Sequence, residues 1–272
     1  MARILVTGGT GYLGGRLVQE LLDSQHQVVI GTTRSGLVLP GELSGAELVA
    51  TSYDSQDSLT HVLDDIEHVY HLASPNEVVS GKEPLRAVDG TISATVSLLD
   101  ACVKAQVTSF TYLSTAHVYG APLIGEITEA SLTRPRHPYA ITHRAAEDFA
   151  LMYANRGLLD SKVVRLSNAC GAPAHAGVDR WTLLVNDLCR QALKDRTLCL
   201  RSDGLDQRDF IPMTSAVRGI IAVGNADLPA ADSRIFNVGS GQSLRVIDVA
   251  KLVADKAEAL LGCLLYTSPS PR

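Results

Sequence analysis

The chain has 272 residues, a net charge of −5 and 46% hydrophobic residues. This hydrophobic fraction is large enough to build a core, which excludes a wholly disordered chain. The acidic balance argues against a nucleic-acid partner, and no apolar run approaches the ~18 residues of a membrane span.

The cysteines and the N-terminal segment indicate a compartment. Five cysteines are present, an odd count without a CxxC pair, so the sequence predicts neither a disulfide framework nor a metal site. The apolar run at the N-terminus is too short for a signal peptide. We therefore expect a reducing, cytoplasmic location.

Short apolar runs alternate with helical patterns along the first 170 residues. The predicted strands cover residues 3–7, 27–32, 47–51, 68–72, 110–114 and 162–166. Between them, leucine and valine recur at helical spacing, as in 13–22 and 85–103. These repeats predict a doubly wound α/β fold with a parallel Rossmann-type sheet over residues 1–170.

After residue 170 the pattern changes and predicts a smaller lobe over residues 171–262. Its predicted helices cover 182–193, 214–224 and 244–259, and its predicted strands cover 197–201 and 233–238. Residues 263–272 lack helical periodicity and contain two prolines. We interpret this tail as foreign to the natural frame, with an ordinary frayed terminus as the alternative.

A glycine-rich turn joins the first predicted strand to the first predicted helix. Glycines at positions 8, 11 and 14 form a GxxGxxG variant of the dinucleotide fingerprint. Gly8 permits a tight turn, Gly11 a close approach to pyrophosphate, and Gly14 close packing of helix on strand. The amides of the helix start, at Tyr12 and Leu13, would then bind phosphate. A glycine-rich turn without a ligand is the alternative.

The end of the second predicted strand bears on the choice of coenzyme. An acidic residue there would bind the ribose hydroxyls of NAD. The sequence instead ends this strand with two threonines and Arg34, whose guanidinium suits a 2′-phosphate. This favours NADP over NAD, with a solvated surface arginine as the alternative.

Several ordered motifs together carry a family resemblance. They are TGGTGYLG (7–14), HLAS (71–74), YLSTAHVYG (112–120), PYAITH (138–143), RLSN (165–168), RDFI (208–211) and FNVGSG (236–241). On these residues the chain resembles the extended short-chain dehydrogenases/reductases, in particular the nucleotide-sugar epimerase/dehydratase group. The resemblance implies an NAD(P)-dependent oxidoreductase or epimerase that acts on a nucleotide sugar. The resemblance spans about residues 3–262, with a dinucleotide-binding domain over residues 1–170 and a substrate-binding lobe over residues 171–262.

The resemblance also implies a catalytic group of Ser/Thr, Tyr and Lys, with the last two spaced YxxxK. Thr115 matches the hydroxyl residue, and Tyr139 matches the tyrosine that exchanges a proton with the substrate hydroxyl. The position of the lysine holds His143, which shares a helix face with Tyr139. No lysine lies between Lys104 and Lys162, so a shift of register does not restore the motif.

Three interpretations of His143 stay open. It can serve as a working replacement for lysine; the protein can bind coenzyme but turn over slowly or not at all; or another cation can supply the charge. Histidine can bond ribose, but its positive charge at neutral pH is only partial, because its free pKa is ~6.5.

Further contacts follow from the resemblance. Leu72, Ala73 and Leu166 would contact the coenzyme. Asn168 and Arg208 would bind the nucleotide diphosphate. His117 is a candidate substrate contact, with a buried structural histidine as the alternative.

Ala116 and His117 stand where the family has an acidic pair for dehydration, which argues against a 4,6-dehydratase. The resemblance also implies a homodimer through residues 85–104 and 139–156. Family members continue past the position of residue 262, so the lobe over residues 171–262 would be incomplete. Two alternatives remain: a coenzyme-binding module with weak or lost catalysis, and an NADPH-dependent reductase of a non-sugar carbonyl.

Overall fold

The protein is described from a computed structural model that covers residues 1–229, 233–262 and, for the backbone, 266–269. Twelve strands occur in this part of the chain. In chain order they are β1 (Arg3–Thr7), β2 (Gln27–Thr32), β3 (Glu47–Ala50), β4 (His68–His71), β5 (Ser109–Thr115), β6 (Asp160–Leu166), β7 (Asn168–Cys170), β8 (Thr197–Leu200), β9 (Gln207–Pro212), β10 (Ile235–Val238), β11 (Ser243–Arg245) and β12 (Tyr266–Pro269).

Nine α-helices accompany these strands in the described residues. They are α1 (Tyr12–Asp23), α2 (Gln56–Val62), α3 (Glu77–Lys82), α4 (Pro84–Ala87), α5 (Ala94–Lys104), α6 (Pro138–Asn155), α7 (Leu184–Lys194), α8 (Met213–Gly224) and α9 (Val246–Leu261). Single 3₁₀ turns cover Gly41–Leu43 and Ala116–Tyr119.

Seven strands pair in parallel to form the main sheet, in the order β10-β6-β5-β4-β1-β2-β3. The order reverses between β1 and β4, and such a switch point opens a crevice at the carboxyl ends of the strands. The predicted doubly wound parallel sheet is therefore confirmed. Strands β1 and β2 have the bounds that the sequence predicted.

Two apolar layers cover the main sheet because its strands alternate their side chains between the faces. Leu5 packs with α2, α5 and α6 on one face, whereas Ile4 and Val6 pack with α1 and α8 on the other. Leu17 of α1 is fully buried there, and burial of such a side chain contributes about 1.5–3 kcal/mol. The sheet is thus fixed from both sides.

The chain beyond β6 contributes both to the small lobe and to the edge of the main sheet. Strands β11, β9 and β7 form a small sheet, and α7, β8 and α9 share a separate apolar cluster. Strand β10, however, pairs with β6 at the edge of the main sheet. The division at residue 170 stays a prediction.

The predicted long helix over 85–104 differs from the structure. It is divided into α4, a π-helical turn at Val88–Ser93, and α5. Gly90 lies in that turn against Pro75, where a Cβ would come within 2.9 Å of the proline ring. The turn therefore packs closely on the loop that follows β4.

Only part of the predicted tail over residues 263–272 lies within the described residues. The backbone of β12 pairs in parallel with β8. Residues 263–265 and 270–272 lie outside the described residues, and the foreign origin of the tail stays a prediction.

Candidate active site

A cleft of about 1180 Å³ opens at the carboxyl ends of β1, β4, β5 and β6, with the small lobe on its other side. It is lined by every residue that the sequence proposes for the site. They are Gly8, Gly11, Tyr12, Leu13, Gly14, Arg34, Leu72, Ala73, Thr115, His117, Tyr139, His143, Leu166, Asn168 and Arg208. The fold thus brings the whole set together, and the role of each residue stays a prediction.

The glycine-rich turn can be built only with very small residues. Gly8 has φ +73°, and its carbonyl oxygen accepts a hydrogen bond from the Gly11 N–H at 2.9 Å. A Cβ on Gly14 would lie 2.2 Å from the Gly8 oxygen. A Cβ on Gly8 would lie 3.0 Å from the Ala73 nitrogen. The backbone at positions 8 and 14 is therefore packed too closely against its neighbours to accept a side chain.

The loop after β4 is held by a buried threonine. The Thr7 Oγ1 atom accepts hydrogen bonds from the backbone N–H groups of Leu72 at 3.2 Å and Ala73 at 3.3 Å. The same hydroxyl lies 2.6 Å from Nδ1 of His71. Burial lowers the pKa of His71 to about 3, so this imidazole is neutral. Leu72 and Ala73 are thereby fixed beside the glycine turn.

The small lobe contacts the start of α1. The Tyr12 hydroxyl donates to the Gly171 carbonyl at 2.8 Å and lies 3.2 Å from Asn186 Oδ1. The His175 Nε2 atom lies 3.1 Å from the Thr10 carbonyl oxygen. These contacts close the cleft over the glycine-rich turn.

Arg34 lies at the rim of the cleft just past β2. Its backbone N–H donates to Thr32 Oγ1 at 3.1 Å. Its side chain is exposed, and no acidic residue of the described chain forms an ion pair with it. The guanidinium is therefore available to an anionic group at this end of the cleft.

Tyr139 lies in the first turn of α6, a helix that begins with Pro138 and is capped by His137. Burial raises the pKa of Tyr139 to about 12, and the carboxylate of Glu77 adds to the rise. The Arg180 guanidinium and a hydrogen bond with Thr115 act in the opposite direction. The phenol is therefore protonated at neutral pH.

Thr115 ends β5 and caps the following 3₁₀ turn. Its Oγ1 accepts a hydrogen bond from the His117 N–H at 3.2 Å. The Thr115 hydroxyl also hydrogen-bonds Tyr139, which acts to lower the pKa of that phenol. Thr115 and Tyr139 thus reach the same cleft from a strand end and a helix start.

His143 lies one turn after Tyr139, with its ring centroid 4.4 Å from that of Tyr139 in an edge-on contact. Its Nδ1 is 2.8 Å from the Tyr112 hydroxyl. Its Nε2 is buried and has no hydrogen-bond partner among the described residues. Burial first, and then His71 and His117, lower the pKa of His143 to about 3. The imidazole is therefore neutral and supplies no positive charge to Tyr139.

A buried ion pair between Glu147 and Arg165 lies behind the end of β5. Glu147 is fully buried, and its carboxylate accepts hydrogen bonds from Arg165 at 2.7 to 3.2 Å and from the Ser114 hydroxyl. Arg165 also donates to the Tyr119 hydroxyl at 2.9 Å. Since Ser114 precedes Thr115, the pair fixes the strand end that carries Thr115.

The substrate end of the cleft contains the predicted Asn168, Arg208 and His117. The Asn168 side-chain amide donates to the Asp209 carbonyl at 2.8 Å, so its N–H groups are partly committed to the small sheet. Arg208 forms no ion pair with a described acidic residue, since the Asp209 carboxylate bonds Ser167 and the turn at 240–241 instead. Burial, and then the charge of Arg208, lower the pKa of His117.

The sequence did not predict the ion pair between Glu77 and Arg180, which lies inside the cleft. Arg180 donates to Glu77 at 3.1 Å, and Thr182 donates to the same carboxylate at 3.3 Å. The Nη1 atom of Arg180 is buried without a partner in the described chain. The pKa of Glu77 is lowered despite its burial, because of Arg180 and the other donors. No spacing signals this pair, because its members lie 103 residues apart on separate elements.

Comparison with known proteins places the chain among relatives. Residues 4–239 match the sequence model of the NAD dependent epimerase/dehydratase family. An uncharacterized UDP-glucose epimerase of Bacillus subtilis, YtcB, is 27% identical over 265 residues, which cover 93% of this chain and 81% of that protein. The dTDP-glucose 4,6-dehydratase of Streptomyces griseus is 28% identical over 277 residues, 97% of this chain and 81% of that protein.

Solved structures agree with these sequence relatives. The UDP-glucuronic acid 4-epimerase of Bacillus cereus, in complex with UDP-glucuronic acid and NAD, superposes with a TM-score of 0.82. It is 26% identical, and the alignment covers 98% of this chain and 85% of that one. The family resemblance predicted from the motifs is confirmed.

Two features are absent from residues 1–229 and 233–262. None of the helices there is both long and apolar enough to cross a membrane. No group of three or more His, Cys, Asp or Glu side chains in that region is arranged to hold a metal ion.

Proposed function

Because the chain belongs to the NAD dependent epimerase/dehydratase family, we propose that it is an NAD(P)-dependent oxidoreductase or epimerase that acts on a carbinol carbon of a nucleotide sugar. One observation carries the proposal. The glycine-rich turn, the Thr115 and Tyr139 hydroxyls and the unpaired Arg208 guanidinium line a single cleft. Such a cleft can hold a dinucleotide at one end and an anionic substrate at the other.

The residues present fit a nicotinamide dinucleotide. The close backbone packing at Gly8 and Gly14 keeps side chains away from the start of α1, which lines the cleft and whose amides attract a pyrophosphate. Leu72, Ala73 and Leu166 offer apolar and backbone contacts beside it. When bound, such a coenzyme accepts a hydride from a substrate carbon and can return it.

Tyr139 and Thr115 would handle the hydroxyl group of the substrate. The Thr115 hydroxyl hydrogen would orient the reacting oxygen. The Tyr139 phenol, protonated at neutral pH, is ready to donate a proton to a carbonyl oxygen. Removing a proton from a carbinol requires the phenolate, so oxidation should accelerate as pH rises toward the pKa of Tyr139.

The residues near Thr115 and Tyr139 favour epimerisation or reduction over dehydration. Expulsion of water requires a group that can donate a proton to the leaving hydroxyl. Ala116 and His117 occupy the positions of the acidic pair, and His117 has a lowered pKa. Glu77 also lies in the cleft, but its pairing with Arg180 keeps it a carboxylate. These groups support hydride and proton exchange at one carbon.

A second candidate is a coenzyme-binding module with weak catalysis. The observation that favours it is the neutral state of His143 beside a tyrosine whose pKa is raised. Without a cation, little phenolate forms at neutral pH. Turnover of the His143→Lys variant separates the two candidates. A large gain would favour the module, and a loss would favour a tuned enzyme.

Arg34 supports NADP as the preferred coenzyme, since no acid occupies the end of β2 and the guanidinium is unpaired in the described chain. The Bacillus cereus relative was solved with NAD. A preference for NADP would agree with the third alternative, an NADPH-dependent reductase. Binding of both coenzymes should therefore be compared directly.

The homodimer predicted from the resemblance is supported by exposed apolar side chains on the elements that would form it. Leu85 is 79% exposed and Ile141 48% exposed, and Val88 and Phe149 are also exposed. A second copy of the chain would cover this surface. The cytoplasmic location stays a prediction from cysteine usage.

A thermal-shift panel tests the function most directly, because a ligand that binds the folded state raises the melting temperature. The panel contains NAD, NADP, and UDP, dTDP, GDP and CDP sugars. Shifts from one coenzyme and from one class of nucleotide sugar would support the proposal. A shift from coenzyme alone would favour the binding module or a non-sugar carbonyl, and no shift from either coenzyme would contradict all three candidates.

A further inference from the structure

The side chain of Tyr112 contacts the imidazole of His143, which stands at the position of the family's lysine. Tyr112 lies in β5, three residues before Thr115, and its side chain is buried. Its hydroxyl is 2.8 Å from Nδ1 of His143, and the two ring centroids are 5.7 Å apart. The other ring nitrogen of His143, Nε2, is buried beside the cleft without a partner in the described residues.

We propose that Tyr112 is a positioning residue that fixes His143 as the tautomer with hydrogen on Nε2, so that this N–H donates one hydrogen bond to a hydroxyl oxygen of the ligand. The inference rests on the proposed function, in which that oxygen belongs to the ribose on the nicotinamide side of the coenzyme. It assigns a role to a residue outside the catalytic motif.

The direction of the hydrogen bond follows from the acidities of the two groups. A phenol is a stronger acid than a neutral imidazole N–H, and an imidazole nitrogen is a better acceptor than a phenol oxygen. The Tyr112 hydroxyl therefore donates, and Nδ1 accepts with its lone pair. In a neutral imidazole the hydrogen then resides on Nε2. Burial raises the pKa of Tyr112 and lowers that of His143, so both groups stay neutral over the physiological range.

The fold keeps Tyr112 in place for this role. Residue 112 pairs in register with His71 of β4 and Val163 of β6, in the middle of the main sheet. The His71 ring lies 5.9 Å from the Tyr112 ring and packs against its side. With the phenol held on a central strand, the His143 ring cannot turn without losing its only hydrogen bond in the described chain.

The chemical consequence separates two functions that a lysine would combine. An ammonium group both bonds a ribose oxygen and supplies positive charge. The His143–Tyr112 pair retains one hydrogen-bond donor and no charge. Changes to the pair should therefore alter coenzyme affinity, whereas the pKa of Tyr139 should hardly move.

The tautomer can be read by NMR on the ligand-free protein. Long-range nitrogen–proton spectra of protein with ¹⁵N-labelled histidine distinguish the protonated ring nitrogen, and the His143→Gln variant assigns the signal. We expect hydrogen on Nε2 in the wild type and a new population with hydrogen on Nδ1 in Tyr112→Phe. A wild-type spectrum with hydrogen on Nδ1, or a spectrum that Tyr112→Phe leaves unchanged, would overturn the proposal. The wild-type spectrum does not depend on the folding of any variant.

A double-mutant cycle on coenzyme binding tests whether Tyr112 acts through His143. Tyr112→Phe should raise the coenzyme dissociation constant about tenfold, the effect of one hydrogen bond. It should have no further effect in the His143→Gln background. Tyr70→Phe, which removes a buried hydroxyl from β4 away from the cleft, is the matched control and should change nothing. An equal loss in both backgrounds would assign Tyr112 a merely structural role and refute the proposal.

Failure of the proposed function would be recognised separately. If the wild type bound neither NAD nor NADP, the ribose contact would be refuted together with the function. The tautomer of His143 would still be decided by the spectra, because these need no ligand.

Discussion

His143 and Glu147 lie four residues apart on the same buried face of α6, and each contacts β5. Glu147 accepts hydrogen bonds from Arg165 and Ser114, and its charge is matched by a guanidinium. His143 has one partner in the described chain, is neutral, and leaves a nitrogen unbonded beside the cleft. One helical turn thus separates a carboxylate that is hydrogen-bonded and ion-paired from an imidazole with one nitrogen that has no hydrogen-bond partner in the described chain.

The difference indicates which buried polar groups hold the fold and which are left for a ligand. A satisfied buried pair stabilises a single arrangement, and it costs free energy only when one partner is removed. An unsatisfied buried donor costs free energy in the ligand-free protein, and it recovers this when a ligand supplies the acceptor. The two ends of the α6 face should therefore respond differently to substitution.

The largest effect is expected at the cleft end of α6. Tyr139→Phe removes the proton donor and should lower turnover by about 10²–10⁴-fold while coenzyme binding is kept. Steady-state rates and coenzyme titrations measure the two quantities. Tyr153→Phe removes a hydroxyl from the same helix, where it bonds Asp100, and serves as the control. Unchanged turnover in Tyr139→Phe would contradict the assignment.

The next largest effect, on stability, is expected where Glu147 pairs with Arg165. Glu147→Ala leaves Arg165 buried without its counter-charge and should lower the free energy of unfolding by about 3–5 kcal/mol. Asp148→Ala, one residue further, removes an exposed carboxylate that pairs with Arg144 and should cost about 1 kcal/mol or less. Urea unfolding of both variants tests the contrast. Equal losses would remove the distinction between the two positions.

Acid should destabilise the histidine end. The pKa values of His143 and His71 are about 3 in the folded chain against an ordinary 6.5, because burial disfavours the charged form. Below pH 6.5 the unfolded chain binds protons that the folded chain does not, so stability is lost as pH falls toward 3. Each histidine contributes about 1.4 kcal/mol per pH unit to this slope.

His143→Gln isolates one of the two contributions. Unfolding free energies at pH 7, 6 and 5 should decline less steeply in this variant than in the wild type. Tyr153→Phe removes a group of the same helix that does not titrate in this range, so it is the control and should leave the slope unchanged. A slope that His143→Gln does not alter would mean that folding does not lower the pKa of His143.

The smallest effect is expected at the other end of the cleft. Arg34→Gln should raise the dissociation constant for NADP by about tenfold, the equivalent of a charge-assisted hydrogen bond, and should leave that for NAD nearly unchanged. Isothermal titration with both coenzymes measures it, and NAD is the internal control. A parallel change for both coenzymes would show that Arg34 does not contact the 2′ position.

The sequence predicted those parts of the fold and site that depend on local patterns. The glycines at 8, 11 and 14 could be identified because tight turns leave few other residues possible. The position of His143 on the face of Tyr139 followed from helical spacing. The alternation of strands and helices was sufficient for the main sheet.

The remaining features arise from contacts between distant segments. The neutrality of His143 depends on burial beside Tyr112, 31 residues earlier, which spacing alone does not reveal. Glu77 and Arg180 meet only because the loop before α7 returns to α3. Strands β7 and β9 are each too short or too polar to give a strand pattern, and they form by pairing with each other and, for β9, with β11.

The path of the backbone between the two sheets limits how the cleft can open. The chain leaves the main sheet after β6, returns when β9 leads directly into α8, and leaves again after β10 for β11. A rigid swing of the lobe about a single hinge would have to bend several crossings at once. The contacts of Gly171 with Tyr12 and of Arg180 with Glu77 add two further connections between the lobe and the elements around the main sheet.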